Sequence, residues 1–324
     1  MVATPEARSR SVLGCAGEYC RLMEFGIAMG LLHDTVAEAK QAEAYGFDYL
    51  STGEHINFPV AASNTIVSLA AAAGATETIK LVSSITLVPL YPPALLAKQV
   101  AMLDVVSGGR FELGIGVGGE FPAEFEAVGV PVTERGARTN EALEVIDLLL
   151  REKNVSFDGR FTTLNDITIS PAPVQKPRVP IWVAGRKDAA MKRVARYGDV
   201  WLPYMYTPDM LRESVTSVAE HCQELDRDPS EVDTALYIFT CVHEDRDTAL
   251  ALASEQLSHQ YAMDFSQLVS KYTIAGSPED CIEQIETWRD AGATKIIFGN
   301  GCPKHHVDEN VRLIAEELLP AFRS

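Results

Sequence analysis

The sequence predicts an α/β protein folded as one (β/α)8 barrel, a TIM barrel, with insertions after the fourth and seventh strands. Three observations carry this. Eight short apolar runs alternate with helix-like segments from residue 23 onward. The runs are apolar nearly throughout, as strands buried on both faces of a parallel sheet must be. An open doubly wound sheet also alternates, but it rarely runs to eight units in order.

The elements follow in sequence. The first strand is expected over 25–29. Asp34 then caps a helix running to Tyr45, which Gly46 stops. A second strand over 48–52 leads to an alanine-rich helix over 64–74. The third strand, over 80–86, precedes a helix over 93–106 with proline in its first turn. The fourth strand covers 111–115, and a loop joins it to a long helix over 134–150. Residues 156–162 carry a hairpin signal with Asp158-Gly159 at the turn, and Pro171, Pro173, Pro177 and Pro180 form a stiff connector. Strand 181–184, helix 188–197, strand 200–202 and helix 208–225 come next. Strand 234–242 and helix 245–257 precede an irregular stretch over 258–276. Ser277-Pro278 opens another helix, strand 294–298 is the eighth, and a helix over 307–322 ends the series.

With 324 residues, 47% of them hydrophobic, the chain can bury a large core. A net charge of -17 argues against nucleic acid and anionic membranes as partners. Apolar runs such as 66–73 are too short to span a bilayer. The six cysteines (Cys15, Cys20, Cys222, Cys241, Cys281, Cys302) are scattered, which suits a reducing, cytoplasmic compartment. No metal is expected, since His305 and His306 are adjacent and no His/Glu set has ligand spacing. Residues 1–22 lack a long apolar region, so a signal peptide is not expected. They are read as a loosely held extension of a single domain over 23–324.

The densest signal is Ser107 to Glu120, a turn, a buried strand and a glycine-rich exit. Gly114, Gly116, Gly118 and Gly119 let something approach the backbone closely. Gly114-x-Gly116-x-x-Gly119 has the spacing of a dinucleotide fingerprint. However, Glu-Phe-Pro-Ala-Glu-Phe-Glu follows it rather than a clean helix start, and the acidic partner expected after a next strand is missing. The alternative is a barrel mouth, where glycines make room for a planar ring. In a barrel, chemistry sits at the C-terminal ends of strands. Those ends carry Gly53-Glu54-His55, Ser84-Ile85-Thr86, Gly116 to Glu120, Ala184-Gly185-Arg186 and Pro203-Tyr204. Gly185-Arg186 precedes a helix N-terminus, where backbone donors and the dipole favour a phosphate. Phosphate anchor and glycine-lined slot together suggest a phosphorylated planar cofactor.

Four stretches resemble the bacterial luciferase-like superfamily of flavin and deazaflavin barrels. They are Gly46-Phe47-Asp48 through Glu54-His55, Leu95 through Asp104, Ser107 through Gly118, and Pro180 through Pro203. Glu134-Arg135-Gly136-Ala137-Arg138 and Phe157-Asp158-Gly159 resemble the branch assigned to coenzyme F420, with FMN as the alternative cofactor. The resemblance implies catalytic roles for Glu54, His55 and Glu120. It also implies a non-proline cis peptide at Ser84-Ile85 that presses on the ring, with Thr86 as a ring contact. Gly116, Gly118 and Ala184 would border the cofactor, and Gly185 and Arg186 would hold its phosphate. Relatives often pair through barrel helices, so a homodimer is expected.

The function this implies is F420-dependent hydride exchange with a small organic substrate. His55 would be the acid or base and Glu54 would orient it. A monooxygenase using FMNH2 is the first alternative, and a barrel that binds flavin without turnover is the second. The chain lacks an obvious lysine cluster for a sugar phosphate, which argues against a glucose-6-phosphate dehydrogenase. Trp182 and Trp201 are expected in the core, and His33, His221, His243 and His259 as structural or surface residues.

Overall fold

The computed structural model describes residues 23–29 and 34–323. The N-terminal extension over 1–22, Cys15, Cys20 and His33 lie outside the described residues. Eight parallel strands form the barrel: β1 (Glu24–Ala28), β2 (Tyr49–Thr52), β3 (Lys80–Ser83), β4 (Phe111–Gly116), β5 (Ile181–Ala184), β6 (Val200–Leu202), β7 (Asp233–Val242) and β8 (Lys295–Asn300). Each pairs with the next, and β8 pairs with β1, so the sheet closes. Helices α1 (Thr35–Ala44), α2 (Thr65–Ala75) and α3 (Pro93–Val106) follow β1 to β3. Asp34 and Asn64 cap α1 and α2 through side-chain oxygens. Among the described residues, no helix is long and apolar enough to cross a membrane.

Alternation along the strands divides the apolar residues between two cores. Leu50, Leu81, Leu113 and Ile181 join the shell between sheet and helices. Tyr49, Val82, Trp182, Ala235 and Ile297 fill the barrel interior. Trp201, also expected in the core, belongs to the outer shell. Below the interior core lies a floor of charges. Lys80 reaches Glu24 at 3.1 Å, Lys295 bonds Glu24 and lies 3.1 Å from Asp233, and the Trp182 indole donates to Glu112 at 2.5 Å. Burial pushes the Glu112 carboxyl above its ordinary range.

Several segments differ from the expected elements. The third strand breaks after Ser83 at a cis Ser84-Ile85 bond and resumes as Thr86–Leu87. Val82 pairs with Glu112 and Thr86 with Ile115, so four steps on one strand match three on the other. Ser83 fills the gap in the ladder, its hydroxyl accepting from the Gly114 N–H and donating to the Gly114 carbonyl, both at 2.8 Å. The stretch over 258–276 is not wholly irregular: Val269–Tyr272 is a helical turn and Thr273–Gly276 is a further strand added to the barrel sheet. It pairs with Phe239–Val242, the part of β7 that outruns β6 and would otherwise be an open edge. The last helix runs as Val307–Leu313, then a wide π turn over Ile314–Leu318 and a short end over Leu319–Ala321. Pro320, without an N–H, cannot continue the regular ladder there.

The glycines of β4 also have a more specific task than the sequence suggests. A Cβ on Gly114 would lie 1.7 Å from the Ser83 carbonyl oxygen, and one on Gly116 would lie 1.7 Å from Ile85 Cδ1. The close approach they permit is by the bulge of the neighbouring strand itself. Gly114→Ala is therefore expected to destabilise the fold by about 3 kcal/mol. Gly74→Ala, in α2 with nothing within 4 Å, should stabilise it by about 0.5–1 kcal/mol. Thermal melts of the two variants check both.

Glu43 ties α1 to the turn before β3. Burial raises its pKa, but the N–H groups of Thr78, Ile79 and Glu77 and the Thr78 hydroxyl outweigh this and bring it from 4.5 to about 2. A carboxylate with a lowered folded pKa stabilises above its unfolded pKa, and the contribution is lost as pH falls through the folded one. Glu43→Gln should therefore flatten the loss of stability between pH 4.5 and about 2. Denaturant midpoints across that window test it.

Candidate active site

The C-terminal mouth of the barrel is built from small residues around the bulge. Ala28 and Ala184 end β1 and β5, and Ile85 packs beside them on the interior core. The hydroxyls of Ser51, on β2, and Ser84, in the bulge beside it, are buried without a hydrogen-bond partner. Buried polar groups are almost always paired, so these two hydroxyls mark a place suited to a ligand's polar edge. A shallow, small-residue layer with an apolar bulge and two orphan hydroxyls fits a flat heteroaromatic ring.

His55 leaves β2 at this mouth. Its Nδ1 lies 3.2 Å from both oxygens of Glu124, whose side chain is 1% exposed. Glu124 also accepts the backbone N–H groups of Ile56 at 2.6 Å and Asn57 at 3.2 Å, so it is a fixed carboxylate. Phe58 stacks on the imidazole at 4.3 Å, and Phe121 meets it edge-on at 5.5 Å. Glu124 and Phe125 are the buried residues of a short helix, α4 (Pro122–Ala127), in a segment the sequence presents as loop. The missed signals were Pro122 at the first helical position and the i, i+3, i+4 spacing of Phe121, Glu124 and Phe125.

Glu54, expected to orient His55, is turned elsewhere. Its Oε1 accepts the Leu87 N–H at 2.9 Å. Its Oε2 accepts from Tyr91 OH at 2.9 Å, the Thr65 hydroxyl at 3.0 Å, the Thr65 N–H at 3.2 Å and Asn64 Nδ2 at 3.4 Å. The Thr86 hydroxyl joins the same group through Thr65 at 2.9 Å. Glu54 thus binds the start of α2 to the strand beyond the bulge, and the carboxylate serving His55 is Glu124.

The loop after β5 is held from behind. The Trp201 indole donates to the Gly185 carbonyl at 3.0 Å, and Tyr206 OH donates to the Arg186 carbonyl at 3.3 Å. Helix α5 (Asp188–Tyr197) begins at once, and its first N–H groups have no partner within the helix. Asp188 in that first turn is engaged by Lys192 and His221, each at 2.8 Å. Glu120 is exposed and accepts from Tyr204 OH at 3.1 Å. Gly118 abuts Leu87 and Phe125.

Residues 23–295 match the family described as luciferase-like monooxygenase. The chain belongs to that family. An F420-dependent glucose-6-phosphate dehydrogenase of Microbacterium testaceum is 27% identical over 87% of this chain and 91% of its own. An FMNH2-dependent dimethylsulfone monooxygenase of Pseudomonas putida is 34% identical over 50% of this chain and 46% of its own. The crystal structure of monooxygenase RslO1 from Streptomyces bottropensis superposes with a TM-score of 0.82 at 26% identity, covering 93% of this chain and all of that one. The luciferase-like barrel expected from the sequence is the fold observed, down to the cis Ser84-Ile85 bond.

Within this family member Glu54 and Glu120 differ sharply in surroundings. Glu54→Gln leaves an amide among backbone and hydroxyl donors and should cost about 3 kcal/mol of stability. Glu120→Gln, at an exposed site, should change stability by less than about 0.5 kcal/mol. Equilibrium denaturation of the two variants makes the comparison.

Proposed function

We propose that this protein is an oxidoreductase that exchanges a hydride between coenzyme F420 and a small organic substrate, with His55 handling the proton. The observation that carries the reading is the buried Glu124 carboxylate fixed on His55 Nδ1 at a barrel mouth lined by small residues. F420 is favoured over FMN because the F420-dependent relative aligns over nearly the whole of both chains, while the FMNH2-dependent one aligns over about half.

When bound, F420 supplies or takes up a hydride at C5 of its ring. Ser84 and Ile85 would meet that ring and Ala184 would leave it space. Thr86, Gly116 and Gly118 would act one step back, by holding the bulge and its surroundings. Gly185 and Arg186, before the α5 N-terminus, would hold the phosphate, where N–H donors and the helix dipole favour an anion. With Nδ1 committed to Glu124, Nε2 of His55 is the atom that takes a proton from a substrate hydroxyl or returns one to a carbonyl oxygen. Glu124 stabilises the imidazolium formed in that step. Phe58 and Phe121 limit water around the ring and give the substrate an apolar wall.

A monooxygenase using FMNH2 is the second reading, favoured by the higher identity of the dimethylsulfone enzyme over its matched half. Binding of F420 and FMN, measured side by side by fluorescence, separates the two. F420 is expected to bind at least about tenfold more tightly, and turnover should consume no oxygen. His55→Ala should lower turnover at least about 100-fold while leaving F420 affinity within about threefold. Tighter FMN binding with oxygen uptake overturns the F420 reading, and retained turnover in His55→Ala removes the histidine from the chemistry.

A further inference from the structure

Two opposite charges at the mouth contact the same side chain without pairing with each other. Glu120 follows β4 and Arg186 follows β5, and both are exposed. Among the described residues neither enters an ion pair. Both instead contact Tyr204. Its hydroxyl donates to Glu120 Oε1 at 3.1 Å, and the Arg186 guanidinium lies over its ring, 5.0 Å from the centroid. Tyr204 is fixed by the barrel: it bridges to Tyr237 of β7, whose N–H donates to the Pro203 carbonyl at 3.0 Å. Burial and the nearby Glu120 carboxylate push the Tyr204 phenol above its ordinary range, so it remains a neutral donor at neutral pH.

A carboxylate and a guanidinium flanking one side chain would close into a charge-assisted pair if released. Such a pair would occupy both groups. Stacking on a ring face leaves the in-plane N–H donors of arginine available for an anion. A single phenolic hydrogen bond anchors Glu120 without neutralising it.

We propose that Tyr204 is a positioning residue that keeps Glu120 and Arg186 apart, so that the guanidinium stays open to the cofactor phosphate and the carboxylate stays open at the mouth. The inference rests on the reading of Gly185-Arg186 as an anion loop. Its consequence is that the loop's affinity for anions depends on a hydroxyl that touches no anion.

The test uses inorganic phosphate as the probe, with thermal protection at low ionic strength as the readout, where surface charge effects are least screened. Arg186→Gln measures how much of the protection this loop supplies. Tyr204→Phe keeps the ring, removes the hydroxyl and frees Glu120 to close onto Arg186. It should weaken phosphate binding about three- to fivefold. Adding Glu120→Gln to Tyr204→Phe should restore wild-type affinity to within about twofold, because the competing charge is gone. Unchanged binding in Tyr204→Phe overturns the proposal. So does weakened binding that Glu120→Gln does not rescue, which would reduce Tyr204 to packing. If wild type and Arg186→Gln respond to phosphate alike, the anion-loop reading fails and takes this inference with it. Failure at Tyr204 alone leaves that reading standing.

Discussion

The bulge that ends β3 governs the rest of the mouth. Ser83 and Ile85 occupy space that side chains on Gly114 and Gly116 would fill, and a Cβ on Gly53 would come within 2.9 Å of the Ser84 carbonyl oxygen. Glycines on both neighbouring strands are thus a steric requirement of the irregular strand between them. Two polar devices complete the arrangement. Ser83 replaces the missing rungs of the ladder with its side chain, and Glu54 gathers the backbone beyond the bulge onto the start of α2. In this way Ile85 projects at the mouth on backbone that is tied on every side.

Carboxylates show how surroundings assign roles to one chemical group. Glu54 is enclosed by hydroxyl and N–H donors and acts as a structural joint. Glu124 is also buried, but one of its partners is an imidazole, so its charge is directed at a group that can take a proton. Glu120 stays exposed, held by one phenol. On the barrel floor, Glu24 and Glu112 lie among lysines, tyrosine and tryptophan at the N-terminal ends of the strands. Charge at that end of a barrel supports the fold, while charge at the other end is available for chemistry.

The aromatic residues in and after β6 serve the loop that follows β5. Trp201 and Tyr206 draw the carbonyls of Gly185 and Arg186 inward, and Tyr204 supports the guanidinium. The side of the mouth that suits an anion and the side that carries His55 are therefore built by different strands. They are joined where Tyr204 meets Glu120.

The eight-unit barrel was legible in the sequence because strands buried on both faces must be apolar throughout, and the helices between them announce their ends with caps and glycines. Strand ends follow from that count, so His55, Ser84, Ile85, Gly185 and Arg186 could be named as residues of the mouth. The added strand Thr273–Gly276 was not legible, because it exists only where β7 outruns its neighbour and offers an edge. Nor was the partner of His55. Glu54 is adjacent in sequence, but successive residues of an extended chain point to opposite sides, and the side chain that reaches the imidazole is Glu124, 69 positions away. Local patterns of apolarity and turns determined the order of the elements by themselves. Which carboxylate faces which base is a long-range matter, decided only when the strands closed and brought α4 over β2.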